Sequence, residues 1–186
     1  NKYDIISDDR IASFKKDYED LTEKPLFSII MPVYDPPEQF FEDALRSVVS
    51  QVYTNWELCI ADDHSTQAYV HEIIKKYSKN FPKIKVHINE KHSHISETSN
   101  NALKLAKGEY VVLMDHDDLL RPHSLLRFAE AISNNNKLKF IYSDEDKIDL
   151  KGLRYNPYFK PDWNPDLLLA QNYICHLTCI RKNLVN

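Results

Sequence analysis

Short apolar runs alternate with stretches of helical spacing along most of this chain, and that alternation restricts the fold more than any other feature. Phe27-Ser28-Ile29-Ile30-Met31, stopped by Pro32, reads as a buried strand, as do Glu57 to Ala61, Ile84 to Ile88, Glu109 to Met114 and Leu138 to Tyr142. Between the first two, Phe41, Ala44, Leu45, Val48, Val49 and Val52 share one face of a helix whose first turn suits Pro37. Val70, Ile73, Ile74 and Tyr77 mark a second helix, with Ser65 or Thr66 as its cap. Ile95, Ala102, Leu103 and Ala106 mark a third, with Gly108 closing it. A fourth runs from Pro122 to Ser133 with Leu125, Leu126, Ala129 and Ile132 inward. Strands joined by helical crossovers lie parallel, so the expected class is α/β: a mostly parallel, Rossmann-like sheet with helices on both faces.

The ends of the chain read differently. Ile11, Phe14 and Tyr18 give an amphipathic lead-in helix within residues 1–24, ahead of one domain over 25–186. Residues 150–166 look irregular, Leu167 to Ala170 reads as a helical turn, and His176 to Arg181 as a last strand. The chain starts without methionine and stops just after an apolar stretch, so it reads as part of a longer protein, incomplete at its C-terminus. A formal net charge of −4 lacks the basic excess of a nucleic-acid partner. No run is long enough to span a membrane, and no secretory signal is visible. Three cysteines without a metal-ligand pattern fit a reducing cytoplasm. Only Gly108 and Gly152 are present, which rules out a glycine-rich phosphate loop.

Acids gather where strands end. Val111-Val112-Leu113-Met114 runs into Asp115-His116-Asp117-Asp118. In an extended segment Asp115 and Asp117 point to one side and His116 to the other. Two hard oxygen ligands on one side suit a divalent cation that also holds phosphate oxygens. Asp118 reads as a cap for the helix that follows. Asp62-Asp63 follows the second strand and Asp144-Glu145-Asp146 the fifth. In a parallel sheet all three groups share one edge, where like charge is costly unless a cation offsets it.

Ser28-Ile29-Ile30-Met31-Pro32-Val33-Tyr34, then Ala61-Asp62-Asp63-His64-Ser65-Thr66, then Leu105 to Tyr110 leading into Asp115-His116-Asp117-Asp118, resembles glycosyltransferase family 2. Tyr142 to Asp149 and Phe159 to Asp166 resemble members that build bacterial surface polysaccharides, including O-antigen. The resemblance implies the GT-A fold and inverting transfer from a UDP- or dTDP-sugar. It implies a glycan or lipid-linked acceptor, with Mg²⁺ or Mn²⁺ as cofactor. Pro32, Val33 and Tyr34 would meet the nucleotide, and Asp62 or Asp63 the imide N–H of its base. Asp115 would face the ribose or donor sugar, and Asp117 would ligate the metal with it. Asp144, Glu145, Asp146 and His176 would line the donor-sugar or acceptor side, although a capped loop and a satisfied buried histidine explain them as well. The expected location is the cytoplasm, with peripheral association at the inner membrane face; the oligomeric state stays open.

Two departures stand out. Ser99-Asn100 stands where many members carry Arg-Asn, so a basic phosphate partner would be absent or come from elsewhere, with Lys91, His92 and His94 as the nearby candidates. The general base for the acceptor hydroxyl is expected beyond Asn186. A sugar-1-phosphate nucleotidyltransferase is the alternative enzyme, but Pro32 to Pro37 occupies the place of its glycine-rich loop. A nucleotide-sugar-binding domain without transfer activity is another alternative. A phospho-acceptor receiver module is a third, and Asn89 at the end of the third strand argues against it.

Overall fold

The computed structural model describes residues 6–185; residues 1–5 of the expected lead-in, and Asn186, lie outside them. In chain order the elements are α1 (Asp8–Asp20), β1 (Phe27–Val33), α2 (Glu38–Val49), β2 (Trp56–Asp62), α3 (Ala68–Asn80), β3 (Ile84–Ile88) and α4 (His94–Leu105). Then follow β4 (Tyr110–Leu113), α5 (Ser124–Asn134), β5 (Phe140–Tyr142), β6 (Glu145–Ile148), β7 (Arg154–Tyr158), α6 (Pro165–Ala170) and β8 (Thr178–Arg181).

The main sheet has the order β3-β2-β1-β4-β8-β5. β1 pairs in parallel with β2 on one side and β4 on the other. The chain therefore winds outward from β1 to β3, then returns to the far side of β1 for β4. The crevice beyond the carboxyl ends of β1 and β4 is the switch point where α/β sheets bind ligands. β8 lies antiparallel between β4 and β5.

The pleat sends alternate residues to two cores. Ile29, Met31, Leu58, Ile60 and Val112 face the larger one, covered by α1, α2, α3 and α5. Ile30, Cys59, Ala61 and Val111 face a smaller one, where Ala102 and Ala106 let the α4 segment lie close to the sheet. Ser7 caps α1 by accepting from the Arg10 N–H at 3.3 Å, and Phe14 stacks on His123 with ring centroids 4.6 Å apart. The lead-in helix is thus packed onto the domain.

Several expectations change. β1 runs through Pro32 to Val33. Ile30 accepts from the Met114 N–H on the β4 side, and Val33 accepts from the Asp63 N–H on the β2 side. Pro32 shares the orientation of Ile30, beyond the last β1–β4 pair, so its missing N–H breaks no ladder bond. α3 starts at Ala68 with Gln67 at its N-cap and no side-chain cap from Ser65 or Thr66. Asp35, from the loop after β1, accepts from the Thr66 and Gln67 N–H groups at 2.8 and 3.0 Å instead. Residues expected to be irregular contain β7, paired with β6 as a separate two-stranded sheet.

Gly108 does not close α4 through a left-handed backbone; Gly152 is the described glycine with positive φ. Its role is close approach: a Cβ there would sit 2.5 Å from the Leu26 carbonyl oxygen and 2.6 Å from Ser28 Oγ. The Gly108 N–H donates to Ser28 Oγ at 2.8 Å, and that hydroxyl donates to Glu57 at 2.7 Å. Glu57 also accepts from the Lys107 N–H and pairs with Lys85. Burial pushes the Glu57 carboxyl up, but Lys85, the Lys107 N–H and Ser28 outweigh it and hold it below its ordinary range. This knot fixes the entry to β4 against β1 and β2. Gly108→Ala forces a side chain into backbone atoms and is expected to cost about 1–3 kcal/mol in urea unfolding; an unchanged midpoint would show that the contact relaxes freely.

Candidate functional site

Three loops meet at the carboxyl edge of the sheet. The loop after β1 brings Tyr34, which is exposed, with its ring centroid 4.3 Å from that of His92. The end of β2 brings Asp62 and Asp63, both buried. Asp62 accepts from the Ser65 N–H at 3.3 Å and contacts His71 Nε2 at 3.1 Å. Asp63 accepts from Asn89 Nδ2 and from the Ser93 N–H, each at 2.7 Å, while its other oxygen meets His92 Nδ1 at 2.8 Å. Burial raises the Asp63 carboxyl, yet Asn89, Ser93, Thr98 and His92 together bring it below its ordinary value. Asp63 therefore organises the loop after β3, and the side of it nearest Tyr34 is covered by a histidine.

The end of β4 brings the acid cluster. The chain does not stay extended there: it turns at His116 and Asp117, with the Asp118 N–H near the Asp115 carbonyl at 3.4 Å. Asp115 and Asp118 consequently converge, whereas Asp117 is exposed beside them. His116 turns to the other side, its Nδ1 3.2 Å from the Pro32 carbonyl oxygen. α5 begins at Ser124 with His123 at its N-cap, so Asp118 caps no helix.

His176 completes the cluster. In the antiparallel β4–β8 pair, Leu113 faces Thr178. Continuing that register two residues beyond each strand sets Asp115 opposite His176. His176 Nε2 lies 3.1 Å from Asp115 Oδ2, and His176 Nδ1 3.8 Å from Asp118 Oδ2. The hydrogen bond to His176 holds the Asp115 carboxyl below its usual range and raises the imidazole in turn. Burial pushes Asp118 up, and the charges of Asp115, Asp117 and Glu145 add to it.

Asp118 Oδ2 and His176 Nδ1 are buried without a hydrogen-bond partner. One ligand atom from each of Asp115, Asp118 and His176 lies within 4.8 Å of the others. Two carboxylates and an imidazole, with two unmet polar atoms and an excess of negative charge, fit a divalent cation. The imidazole favours Mn²⁺ over the harder Mg²⁺.

The last acid group comes from the segment around β6, and the charge of its Glu145 reaches Asp118. Glu145 and Asp146 lie on β6 instead of in a loop after β5. Asp144 accepts from the Lys160 N–H at 2.8 Å, Glu145 pairs with Lys160 at 2.8 Å, and Asp146 with Arg154 at 2.5 Å. Asp144 is thus held by a backbone N–H, and Glu145 and Asp146 by cations of the hairpin and its exit. The convergence of Asp118 with Asp115 and the contacts of Lys160 are features that sequence reading missed. The signal for Asp118 was its place beside Asp115; for Lys160 it was the Phe159-Lys160-Pro161-Asp162-Trp163 motif.

A mostly parallel α/β sheet with acids at the β1–β4 switch is the architecture expected of the GT-A class of glycosyltransferase fold. The pattern of Glycosyl transferase family 2 matches residues 28–186, and the chain belongs to that family. It is 44% identical over 165 residues to the uncharacterised protein y4gI of Sinorhizobium fredii, covering 89% of this chain and 18% of that protein. It is 33% identical over 173 residues to the O-antigen biosynthesis protein RfbC of Myxococcus xanthus, covering 93% of this chain and 14% of that protein. The chain thus spans less than a fifth of either relative's length. Among solved structures, S. aureus TarS 1-349 in complex with UDP-GlcNAc superposes with a TM-score of 0.69 at 23% identity, over 86% of this chain and 46% of that one. A mannosyltransferase from Pyrobaculum calidifontis in complex with GDP-Man and Mn²⁺ gives 0.57 at 20% identity, over 72% and 41%. These two likenesses concern the fold.

Removing Asp63 strips three partners at once. Asp63→Ala is expected to cost about 2–3 kcal/mol, the scale of hydrogen bonds to a charged group plus the partners left unmet. Amide exchange at Ser93 should accelerate with it; unchanged protection there would show that the loop is held by other contacts.

Proposed function

We propose that this domain binds a nucleoside diphosphate sugar at the β1–β4 switch and transfers the sugar, with inversion, to a glycan or lipid-linked acceptor in surface polysaccharide synthesis. The observation that carries the reading is the convergence of Asp115, Asp118 and His176, with buried polar atoms unmet, where a family 2 fold binds its donor. Asp115 and Asp118 with His176 would hold Mn²⁺ or Mg²⁺, and exposed Asp117 would add a carboxylate to them. The cation would neutralise the diphosphate as it leaves the sugar.

The residues of the chain supply the rest. Tyr34 offers a face for the base, and Asp63 an acceptor for its imide N–H once His92 moves aside; Asp62 is more fully enclosed. Pro32 and Val33 set the floor between the base and the acid cluster. A UDP or dTDP donor fits an acceptor-only carboxylate, whereas cytosine presents an acceptor at the matching ring nitrogen. The general base for the acceptor is proposed to lie beyond Asn186, in line with the much greater length of the relatives. No helix among the described residues is long and apolar enough to cross a membrane. We place the domain in the cytoplasm, meeting a lipid-linked acceptor at the inner membrane face.

Calorimetric titration tests the reading. UDP is expected to bind at least about tenfold more tightly with Mn²⁺ than with chelator, a difference of about 1.4 kcal/mol, and CDP to bind more weakly than UDP. Asp115→Asn should remove most of the Mn²⁺ effect. Equal UDP affinity with and without metal, or CDP binding as well as UDP, would contradict it.

A further inference from the structure

A buried lysine lies behind the acid cluster. Lys160 follows β7, and its side chain is 1% exposed. An ammonium has three N–H donors, and here two backbone carbonyls accept from it beside a carboxylate. The carbonyl oxygens of Ile174 and His176 each lie at 2.5 Å, and the Glu145 carboxylate forms an ion pair at 2.8 Å without a hydrogen bond to its Oε2. The backbone of the same segment is tied down as well: the Lys160 N–H donates to Asp144, and the Pro161 carbonyl accepts from the Tyr142 hydroxyl, both at 2.8 Å.

Burying an ammonium is costly even when it is fully paired, and an apolar side chain would fill the same space without that cost. What the lysine does that an apolar residue cannot is grip two carbonyls on one strand of backbone. That backbone needs a grip. Residues 171–175 form no helix or strand, and Cys175 has φ of 36°. A non-glycine residue in this region persists only where its surroundings fix it. Ladder bonds of β8 begin only at Thr178; before it the Cys175 carbonyl accepts from Thr178 Oγ1 at 2.7 Å and the Leu177 carbonyl from the Ser143 N–H at 3.1 Å, while Lys160 takes the carbonyls of Ile174 and His176.

We propose that Lys160 is a positioning residue for the metal site. By holding the carbonyls on either side of Cys175, it fixes the backbone of His176 and so aims the imidazole at Asp115. By pairing with Glu145, it also offsets a carboxylate whose charge reaches Asp118. This inference rests on the reading of His176 as a metal ligand given above.

The test compares UDP affinity with Mn²⁺ and with chelator in the 186-residue chain, for wild type, His176→Ala, Lys160→Met and the double variant. The readout is the ratio of the two affinities, which a general loss of stability does not alter. Lys160→Met is expected to lower the ratio about tenfold, the lower end for partners that orient a metal ligand. The double variant should be no worse than His176→Ala, because Lys160 acts through that histidine. Lys160→Arg, which keeps a cation and donors, should recover part of the loss. A wild-type ratio in Lys160→Met, or a loss that adds fully to that of His176→Ala, overturns the proposal. Should Lys160→Met not fold, Glu145→Ala on the same two backgrounds carries the test: a smaller loss, absent in the His176→Ala background, supports it, and an undiminished ratio overturns it. A His176→Ala variant with the wild-type ratio would instead refute the metal reading on which the proposal stands.

Discussion

Parallel pairing of β1 with both β2 and β4 is the constraint on which the rest of this structure depends. It commits the loops after three strands to one edge of the sheet, where Tyr34, Asp63 and Asp115 all lie. At the opposite edge the Glu57, Ser28 and Gly108 knot holds the start of β4 in register. A slip of one residue there would turn every β4 side chain to the wrong face. A polar contact at the amino edge therefore supports the placement of acids at the carboxyl edge.

Those acids carry a cost that shapes the site. Asp62, Asp63, Asp144 and Asp146 are each offset by hydrogen bonds or a cation. Asp115 and Asp118 meet His176, and Asp118 Oδ2 is left without a hydrogen-bond partner. Charge that a fold neutralises is structural, and charge that it leaves partly unmet at a switch point is available to a ligand. This separates the acid groups more sharply than their positions in the sequence do. It also explains why the β6–β7 hairpin matters: through Glu145 and Lys160 it connects to the backbone that carries His176.

The strand and helix alternation was legible in the sequence because it follows from local periodicity. The acids at the ends of β2 and β4 were legible from the same pattern, and membership in the family from the motifs around them. What was not legible depends on contacts between distant segments. Pro32 reads as a stop, but it continues β1 because its missing N–H faces a stretch where β4 has already ended. Gly108 reads as a helix end, but its neighbour is Ser28 across the sheet. Asp115 and Asp117 share a side in an extended chain, yet a turn at His116 and Asp117 brings Asp118 toward Asp115. β6 and β7 escape because Glu145 to Ile148 and Arg154 to Tyr158 are largely exposed and lack alternation. The pairing of Asp115 with His176 follows from the β4–β8 register, which no local pattern encodes.

The central claim is that the end of β4 and the segment before β8 together form a cation site that holds a nucleoside diphosphate. Anomalous diffraction at the manganese edge, from crystals of the chain grown with UDP and Mn²⁺, tests it most directly. The account predicts one strong peak within bonding distance of Asp115 and His176, bridged to the diphosphate of UDP. A peak remote from both residues, or UDP bound at the switch with no metal beside it, would contradict the account.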